Sequence, residues 1–254
     1  GNGTTGRVIL TTNSSYTGLT GIIRGIVQLG ADDALPTTTR LILNVAAIAT
    51  DASTFDLAGF NQTVAALGSG TGHPCLITNS TATLSTLTVN QSTTNTTYGG
   101  AIAGAVSLVK TGSAVLVLTN QTTHTGPTVV KNGTLVIASE NGLVNSAASV
   151  ESGTLLLATT GAVPSGISFA GATAAAALGP TYALDQTFLE WAEATVAEPV
   201  PVIVSPSNVT SSLVFTGRLA QAFLGAWTGS VTNSSGAAWA DSTLRLGEIG
   251  RAHV

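Results

Sequence analysis

The residues Gly133-Thr134-Leu135-Val136-Ile137-Ala138 return twenty positions later as Gly153-Thr154-Leu155-Leu156-Leu157-Ala158. In both copies a glycine precedes a short run of aliphatic and β-branched residues, which is typical of a β-strand. A period of this length that contains several short strands indicates one turn of a β-solenoid. Such a coil cannot bury its own inward face, so it is stable only when stacked ~4.8 Å from its neighbours. The repeat therefore predicts parallel strands with Leu135 directly above or below Leu155.

A longer repeat relates the beginning of the chain to its middle. Tyr16-Thr17-Gly18 falls on His124-Thr125-Gly126, and at the same offset Gly25-Ile26-Val27-Gln28-Leu29 falls on Gly133-Thr134-Leu135-Val136-Ile137. One offset without gaps thus aligns apolar, threonine and glycine positions. This agreement predicts that two stretches of the chain build the same local structure.

The amino-acid composition also favours a β-rich fold and excludes several other classes of protein. Hydrophobic residues make up 44% of the 254 residues and charged residues only 8%, with a formal net charge of -4. Intrinsic disorder requires lower hydrophobicity and higher charge than this. The eight Lys and Arg residues are scattered along the chain, so no basic face for nucleic acid is expected. The single cysteine, Cys75, excludes an internal disulfide framework.

Several segments resemble the autotransporter-associated β-strand repeat of bacterial surface proteins. The residues that carry the resemblance are Tyr98-Gly99-Gly100-Ala101-Ile102-Ala103-Gly104, Leu108-Val109-Lys110-Thr111-Gly112-Ser113, Thr125 to Leu135, Tyr16 to Pro36 and Phe55 to Val64. Together they cover about Gly1 to Ala138, and a weaker likeness to other segments of such proteins runs from Leu213 to Gly247. His124 departs from the repeat, which usually has tyrosine at that position.

The resemblance implies an all-β fold, a right-handed parallel β-helix or solenoid whose coils have the period of the shorter repeat. It also implies a non-catalytic, structural or adhesive passenger or stalk fragment of a large bacterial repeat protein, exposed outside the cell. The full-length chain would be anchored to the outer membrane. Expected partners are surface glycans or the surfaces of host or neighbouring cells, without nucleic acid, cofactor, metal or membrane insertion by this fragment.

One stretch departs from the strand pattern and predicts a short helix within residues 184–198. Leu184, Phe188, Leu189 and Ala192 share one helical face, and Asp185 is placed as an N-cap. Glu190, Glu193 and Glu198 are expected to face solvent. The resulting organisation is a solenoid over residues 1–182, a helical insertion over 183–199 and further coils over 200–247.

Residues 248–254 are expected to be a tail of non-native origin. Their back-translation can be written as a string that resembles a common sequencing-library adapter read in frame. Because the tail has little apolar area to bury, we expect it to lie loose at the surface, beginning at Glu248.

No catalytic residue is assigned from the sequence. The runner-up interpretation, a polysaccharide-active β-helix enzyme, requires carboxylates from neighbouring coils to converge in one groove. The residues to examine for it are Asp32, Asp33, Asp51, Asp56 and His73. Asp32 and Asp33 lie in a turn of the repeat itself, which favours solvated turn residues, and His124 is expected to pack or stack. A third interpretation is a fibre subunit whose exposed solenoid ends pair edge to edge.

Overall fold

The structure is a computed structural model, which describes residues 6–45, 52–71, 74–163, 166–169, 171–227, 232, 234, 236–239 and 246–248. Short strands separated by tight corners fill most of these residues. Strands β1 to β13 are Arg7–Leu10, Leu19–Ile22, Gly25–Leu29, Arg40–Leu43, Ser53–Asp56, Gln62–Val64, Ala66–Ser69, Cys75–Thr78, Ser85–Asn90, Thr96–Tyr98, Ala101–Gly104, Val106–Thr111 and Val115–Leu118. Strands β14 to β25 are Thr123–His124, Thr128–Val130, Thr134–Ile137, Ala148–Val150, Thr154–Leu157, Ile167–Ser168, Ala177–Pro180, Val202–Ser205, Leu213–Phe215, Phe223–Ala226, Ala237–Trp239 and Leu246–Glu248.

The strands form a parallel β-solenoid, as the repeats predict, and all but β22 and β24, which pair with each other, lie in three walls. The first wall is β1-β3-β5-β8-β11-β14, and the third wall is β6-β9-β12-β15-β17-β19. The second wall begins with β2-β4-β7 and continues through β10-β13-β16-β18-β20-β21-β23-β25. These two parts meet where the Thr96 hydroxyl donates to the carbonyl of Leu67. From β8 to β13 the chain visits the walls in the order first, third, second in each turn.

The predicted register is confirmed at the decisive repeat. Strands β16 and β18 are parallel, and Leu135 pairs with Leu155. Coil length varies around the predicted period. The coil that joins Val115 to its partner Thr134 is slightly shorter, and the coil that joins Arg40 to its partner Ala66 is longer. Insertions in the corners absorb these differences and leave the strand columns aligned.

Columns of inward side chains form the core. In the second wall one such column joins residues that are all buried: Leu116, Leu135, Leu155, Leu178, Ile203 and Leu224. In the first wall Phe55 and Ile77 pair in the same way, and Ile77 pairs with Ile102. Because each side chain rests on the equivalent residue of the next coil, an apolar core runs along the solenoid. A second, smaller cluster of buried residues lies along the second wall: Val136, Leu156, Ala177, Val202 and Val204.

Glycine is required where consecutive coils approach each other at the corner before the second wall. A Cβ on Gly133 would lie 2.2 Å from the carbonyl oxygen of Gly112, and one on Gly153 would lie 2.7 Å from that of Gly133. Gly133 also has a φ of 66°, a value that side chains disfavour. These close contacts explain why the shorter repeat begins with glycine.

The predicted helix is present as α1, Gln186–Thr195, and its predicted cap is confirmed. The Asp185 carboxylate accepts a hydrogen bond of 2.9 Å from the backbone N–H of Phe188, and the predicted apolar face is buried. Short 3₁₀ turns occur at Thr160–Ala162 and Gly217–Leu219. None of the helices in the described ranges is long and apolar enough to cross a bilayer.

Two details of this region correct the sequence-based expectation. Glu193 does not simply face solvent, because its carboxylate accepts from the backbone N–H of Arg218 at 2.7 Å. Glu198 accepts from the backbone N–H of Phe169 at 2.9 Å. Both carboxylates therefore fasten the helix and the segment after it to adjoining turns, since those turns offer backbone donors. Glu190 is exposed, as predicted.

The expectation of a loose tail is wrong at its first residue. Glu248 belongs to β25, where it pairs with Ala226 in the second wall, because the strand pattern continues through Leu246 and Gly247. Residues 249–254, the rest of the predicted tail, lie outside the described residues.

Candidate functional site

The candidate carboxylates serve the backbone of neighbouring turns. The Asp32 Oδ1 accepts from the N–H of Asn61 at 2.6 Å, and the Asp33 Oδ1 accepts from the N–H of Thr63 at 2.7 Å. Each bond links one coil to the next at a corner of the third wall. The adjacent pair thus lies in a turn, where its carboxylates supply hydrogen-bond acceptors for backbone N–H groups of the next coil.

Asp56 has a comparable role inside the fold. Its Oδ1 accepts from the N–H groups of Ala58 and Ser80 at 3.0 and 2.9 Å, and its Oδ2 accepts from the Gln28 amide at 2.6 Å. Burial raises the pKa of Asp56, but these hydrogen bonds together stabilise the anion more strongly, so the pKa lies below its ordinary value. Asp51 and His73, the other residues to examine for an enzyme, lie outside the described residues.

His124 is packed inside the solenoid, one of the two alternatives predicted for it. The side chain is fully buried. Its Nε2 lies 2.9 Å from the Thr128 hydroxyl, which lies 2.9 Å from the hydroxyl of Ser146. The Nδ1 atom is buried without a hydrogen-bond partner among the described residues. Burial lowers the pKa of His124 to about 4, so the ring is neutral at neutral pH.

Lys110 is a buried cation that the sequence analysis did not single out. It occupies an inward position between Val89 and Val130 in the third wall and is 0% exposed. The Nζ donates to the carbonyl oxygens of Thr111, Gly112 and Asn132 at 2.7, 2.8 and 3.3 Å. Burial lowers the pKa of this amine to about 8. Alternation along β12 places Lys110 on the same inward face as Leu108, and this pattern in the sequence could have predicted that Lys110 is buried.

The remaining charged side chains in the described ranges are dispersed. Lys131 and Glu151 approach to 3.9 Å in an exposed pair, and Arg218 and Glu193 do so beside α1. Among the described residues, no three His, Cys, Asp or Glu side chains are grouped so that they could hold a metal ion.

Described residues also form open hollows on the outside of the solenoid. One, of about 450 Å³, lies at the first two coils between the segments 13–17 and 33–38. Another, of about 370 Å³, runs along the corner before the second wall, where Asn132, Ser152 and Ala175 contribute from successive coils. The lining of the first includes Tyr16, whose side chain is 41% exposed. These hollows are the concave surfaces that we consider for ligands.

Comparison with protein families gives a match to the passenger-associated-transport-repeat. The matched residues are 5–29 and 108–137, which contain the segments that the longer repeat aligns. The match confirms the resemblance to autotransporter passenger repeats. Comparison with curated proteins and with solved structures gives no match.

The two matched stretches have similar local structure but occupy different walls. Gly25 and Gly133 are equivalent, and both have positive φ before or at the start of a strand. However, β3, which begins at Gly25, belongs to the first wall, whereas β16, which follows Gly133, belongs to the second. The repeat therefore specifies a local strand–corner–strand unit that fits more than one wall.

Replacing Lys110 tests whether its ammonium group stabilises the corner. Lys110→Met keeps an unbranched side chain among the valines but removes the ammonium donor from three carbonyl oxygens, of which that of Thr111 keeps its bond from the N–H of Gln91. We expect a loss of about 1–3 kcal/mol in the free energy of unfolding, measured by urea titration. Lys131→Met, which removes an exposed lysine, is the matched control and should cost less than about 0.5 kcal/mol. Equal stability of Lys110→Met and the parent protein would contradict this role.

His124 makes the stability depend on pH. The pKa of His124 is about 4 in the folded protein and 6.5 when the side chain is exposed. Its contribution to the free energy of unfolding is therefore complete at pH values above the pKa of the unfolded chain. The contribution is lost as the pH falls from the unfolded pKa towards the folded one, because the unfolded chain then binds the proton more readily. Between pH 7.5 and 4.5 we expect the parent protein to lose about 2–3 kcal/mol more than His124→Gln. Parallel urea titrations measure this difference, and identical pH dependence of the two proteins would refute it.

Proposed function

We propose that this chain, which carries two passenger-associated-transport repeats, is a structural rod segment of a passenger that bacteria display outside the cell. The repeats and the β-solenoid fit an autotransporter passenger domain. The observation that carries the proposal is the place of both matched stretches in one solenoid with a continuous apolar core. Residues 1–182 and 200–247 form the rod in this proposal, and 183–199 is a helical insertion.

The dimensions of the solenoid support a role as a spacer. The second wall passes through three strands and then eight more. Because neighbouring strands lie ~4.8 Å apart, the described part of this wall extends over about 50 Å. A rod of this kind holds whatever lies beyond it at a fixed distance from its anchor.

The composition of the chain supports export in an unfolded state. The only cysteine is Cys75, so no disulfide within this segment has to form or break during passage through a narrow pore. Each coil gains its hydrogen bonds and buried area from the adjacent coil, so folding can proceed one coil at a time on the far side. We infer that the segment is extracellular and belongs to a protein anchored at the outer membrane.

A non-catalytic, structural or adhesive role is part of the proposal. The described carboxylates considered for an enzyme, Asp32, Asp33 and Asp56, have oxygen atoms bound to backbone or amide donors of adjacent turns. Their positions support a structural task at the corners. Partners in this proposal are surface glycans or the surfaces of host and neighbouring cells.

Surface display tests the proposed function. The chain is fused behind a secretion signal and ahead of an autotransporter translocator, and intact cells are probed with antibody and with protease. We expect the segment to be labelled on intact cells and to resist protease, because it folds after export. The paired variant Leu135→Asp/Leu155→Asp places charges in the core and should be protease-sensitive, whereas Val129→Asp/Ser149→Asp, on the outward face, should behave as the parent chain.

Two results would contradict the proposal. A parent chain that is not labelled on intact cells, or is labelled but protease-sensitive, would exclude a folded surface segment. Release of reducing ends from neutral or acidic polysaccharides by the purified chain would instead support the polysaccharide-active enzyme.

A further inference from the structure

The corner between β15 and β16 places an exposed asparagine directly before a glycine. Asn132 is exposed to solvent and precedes Gly133, where the chain turns from the third wall to the second. The Gly133 N–H donates to the Oδ1 of Asn132 at 2.7 Å, within its own coil. Because Gly133 has no Cβ, no side chain of its own covers this nitrogen. The backbone nitrogen therefore lies beside the side-chain amide of the preceding residue.

Lys110 contacts the same peptide unit from inside the solenoid. Its Nζ donates to the carbonyl oxygen of Asn132 at 3.3 Å. A cation at this oxygen stabilises negative charge on the peptide unit that joins Asn132 to Gly133, so the Gly133 N–H is a stronger acid than an ordinary backbone amide. Because Lys110 is fully buried, salt and solvent screen this interaction little.

Two other asparagines of the described chain show that this combination is particular to the corner. Asn141 also precedes a glycine, but the Gly142 N–H donates to the carbonyl oxygen of Ser139 at 3.1 Å. Asn120 accepts from the N–H of the next residue at 2.8 Å, but that residue is Gln121. The Lys110 ammonium bonds neither peptide unit, since its acceptors are the carbonyls of Thr111, Gly112 and Asn132.

We propose that Asn132 is a modification site, at which the folded chain converts the asparagine to a carboxylate through attack by the Gly133 nitrogen. The nitrogen gives its proton to hydroxide and forms a bond to Cγ of Asn132. The bond from Cγ to Nδ2 then breaks, and Nδ2 takes a proton from water and leaves as ammonia. The chain is left with a five-membered succinimide ring.

Water completes the conversion and is the only co-reactant. It adds to one of the two carbonyl carbons of the ring, the bond from that carbon to the ring nitrogen breaks, and the nitrogen regains a proton. Addition at Cγ gives aspartate, and addition at the main-chain carbonyl carbon gives isoaspartate. No group is oxidised or reduced.

The product changes the surface of the solenoid at this corner. Asn132 lines the hollow of about 370 Å³, and none of the described residues that line it is charged. The new carboxylate therefore makes a neutral hollow anionic. Isoaspartate also lengthens the main chain by one methylene, where a Cβ on Gly133 would lie only 2.2 Å from the Gly112 carbonyl oxygen, so this form should loosen the corner. The reaction does not depend on the proposed function, because it needs only the folded chain and water.

Peptide mapping by mass spectrometry measures the reaction in the purified full chain at neutral pH. Loss of ammonia lowers the mass of a peptide, and the addition of water then raises it above its starting value. In the folded chain we expect Asn132 to convert at least about fivefold faster than Asn141, and in urea the two rates should agree within about twofold, because unfolding removes the Lys110 contact. Asn2-Gly3 lies outside the described residues, and its peptide is followed separately.

Three variants separate the contributions to the rate. Lys110→Met should slow conversion of Asn132 about tenfold and leave Asn141 unchanged. Lys131→Met, which removes the exposed lysine beside Asn132, is the matched control and should change the rate less than about twofold. Asn132→Ser should prevent the change of charge and keep the fold, because the adjacent coils have Ser113 and Ser152 at the equivalent position.

Circular dichroism and protease resistance establish which variants are folded during the incubation. If Lys110→Met is not folded, the comparison of Asn132 with Asn141 in the folded and unfolded parent chain decides the question. Equal rates at the two asparagines in the folded chain, a faster rate at Asn141, or a preference for Asn132 that persists in urea would each overturn the proposal. An unchanged rate at Asn132 in folded Lys110→Met would overturn it as well.

Discussion

Hydrogen bonding between successive coils is the constraint on which this structure depends. In the parallel walls a strand finds its backbone partners in the coils before and after it, so no coil satisfies its own polar groups. These bonds impose a spacing of ~4.8 Å between coils. At the corners the backbones of adjacent coils are then so close that a Cβ would not fit at Gly133 or Gly153.

Side chains complete the bonding where the walls turn. The Asn79 amide donates to the carbonyls of Thr83 and Ala105 at 2.6 and 2.8 Å, and the Gln91 amide donates to that of Val115 at 2.8 Å. Lys110 performs the same task with an ammonium group. These buried polar groups supply additional donors to backbone carbonyls at corners of the solenoid, and their presence in the interior does not by itself indicate catalysis.

Much of the fold was predictable because short-range patterns specify it. The glycine before each repeated strand predicted the pairing of Leu135 with Leu155, and the capping position of Asp185 predicted the start of α1. The wall that each repeat occupies was not predictable, because equivalent residues, Gly25 and Gly133, precede or begin strands that lie on different walls. Lys110 was missed as a buried residue, since a lysine on a strand is ordinarily exposed and only the closing of the next corner supplies its acceptors.

The candidate site was less accessible to sequence analysis than the fold. Tyr16 and His124 occupy equivalent repeat positions, and yet one ring is exposed and the other is fully buried. Burial here depends on which coils lie above and below a residue, and this information is absent from the repeat pattern. The carboxylates that an enzyme would use could be identified from the sequence, whereas their bonding to backbone donors of the next coil depends on the three-dimensional register.

The distance between Thr63 and Ser168 tests the stacking of coils most directly. These residues are far apart in the sequence but occupy one outward column of the third wall, through Thr88, Val109, Val129 and Ser149. Five strand intervals place their backbones about 24 Å apart. Spin labels at Thr63→Cys and Ser168→Cys, in a chain with Cys75→Ser, should give one narrow distribution by double electron–electron resonance, centred near that distance after allowance for the labels. A broad distribution, or one centred far from that distance, would contradict the stacked solenoid.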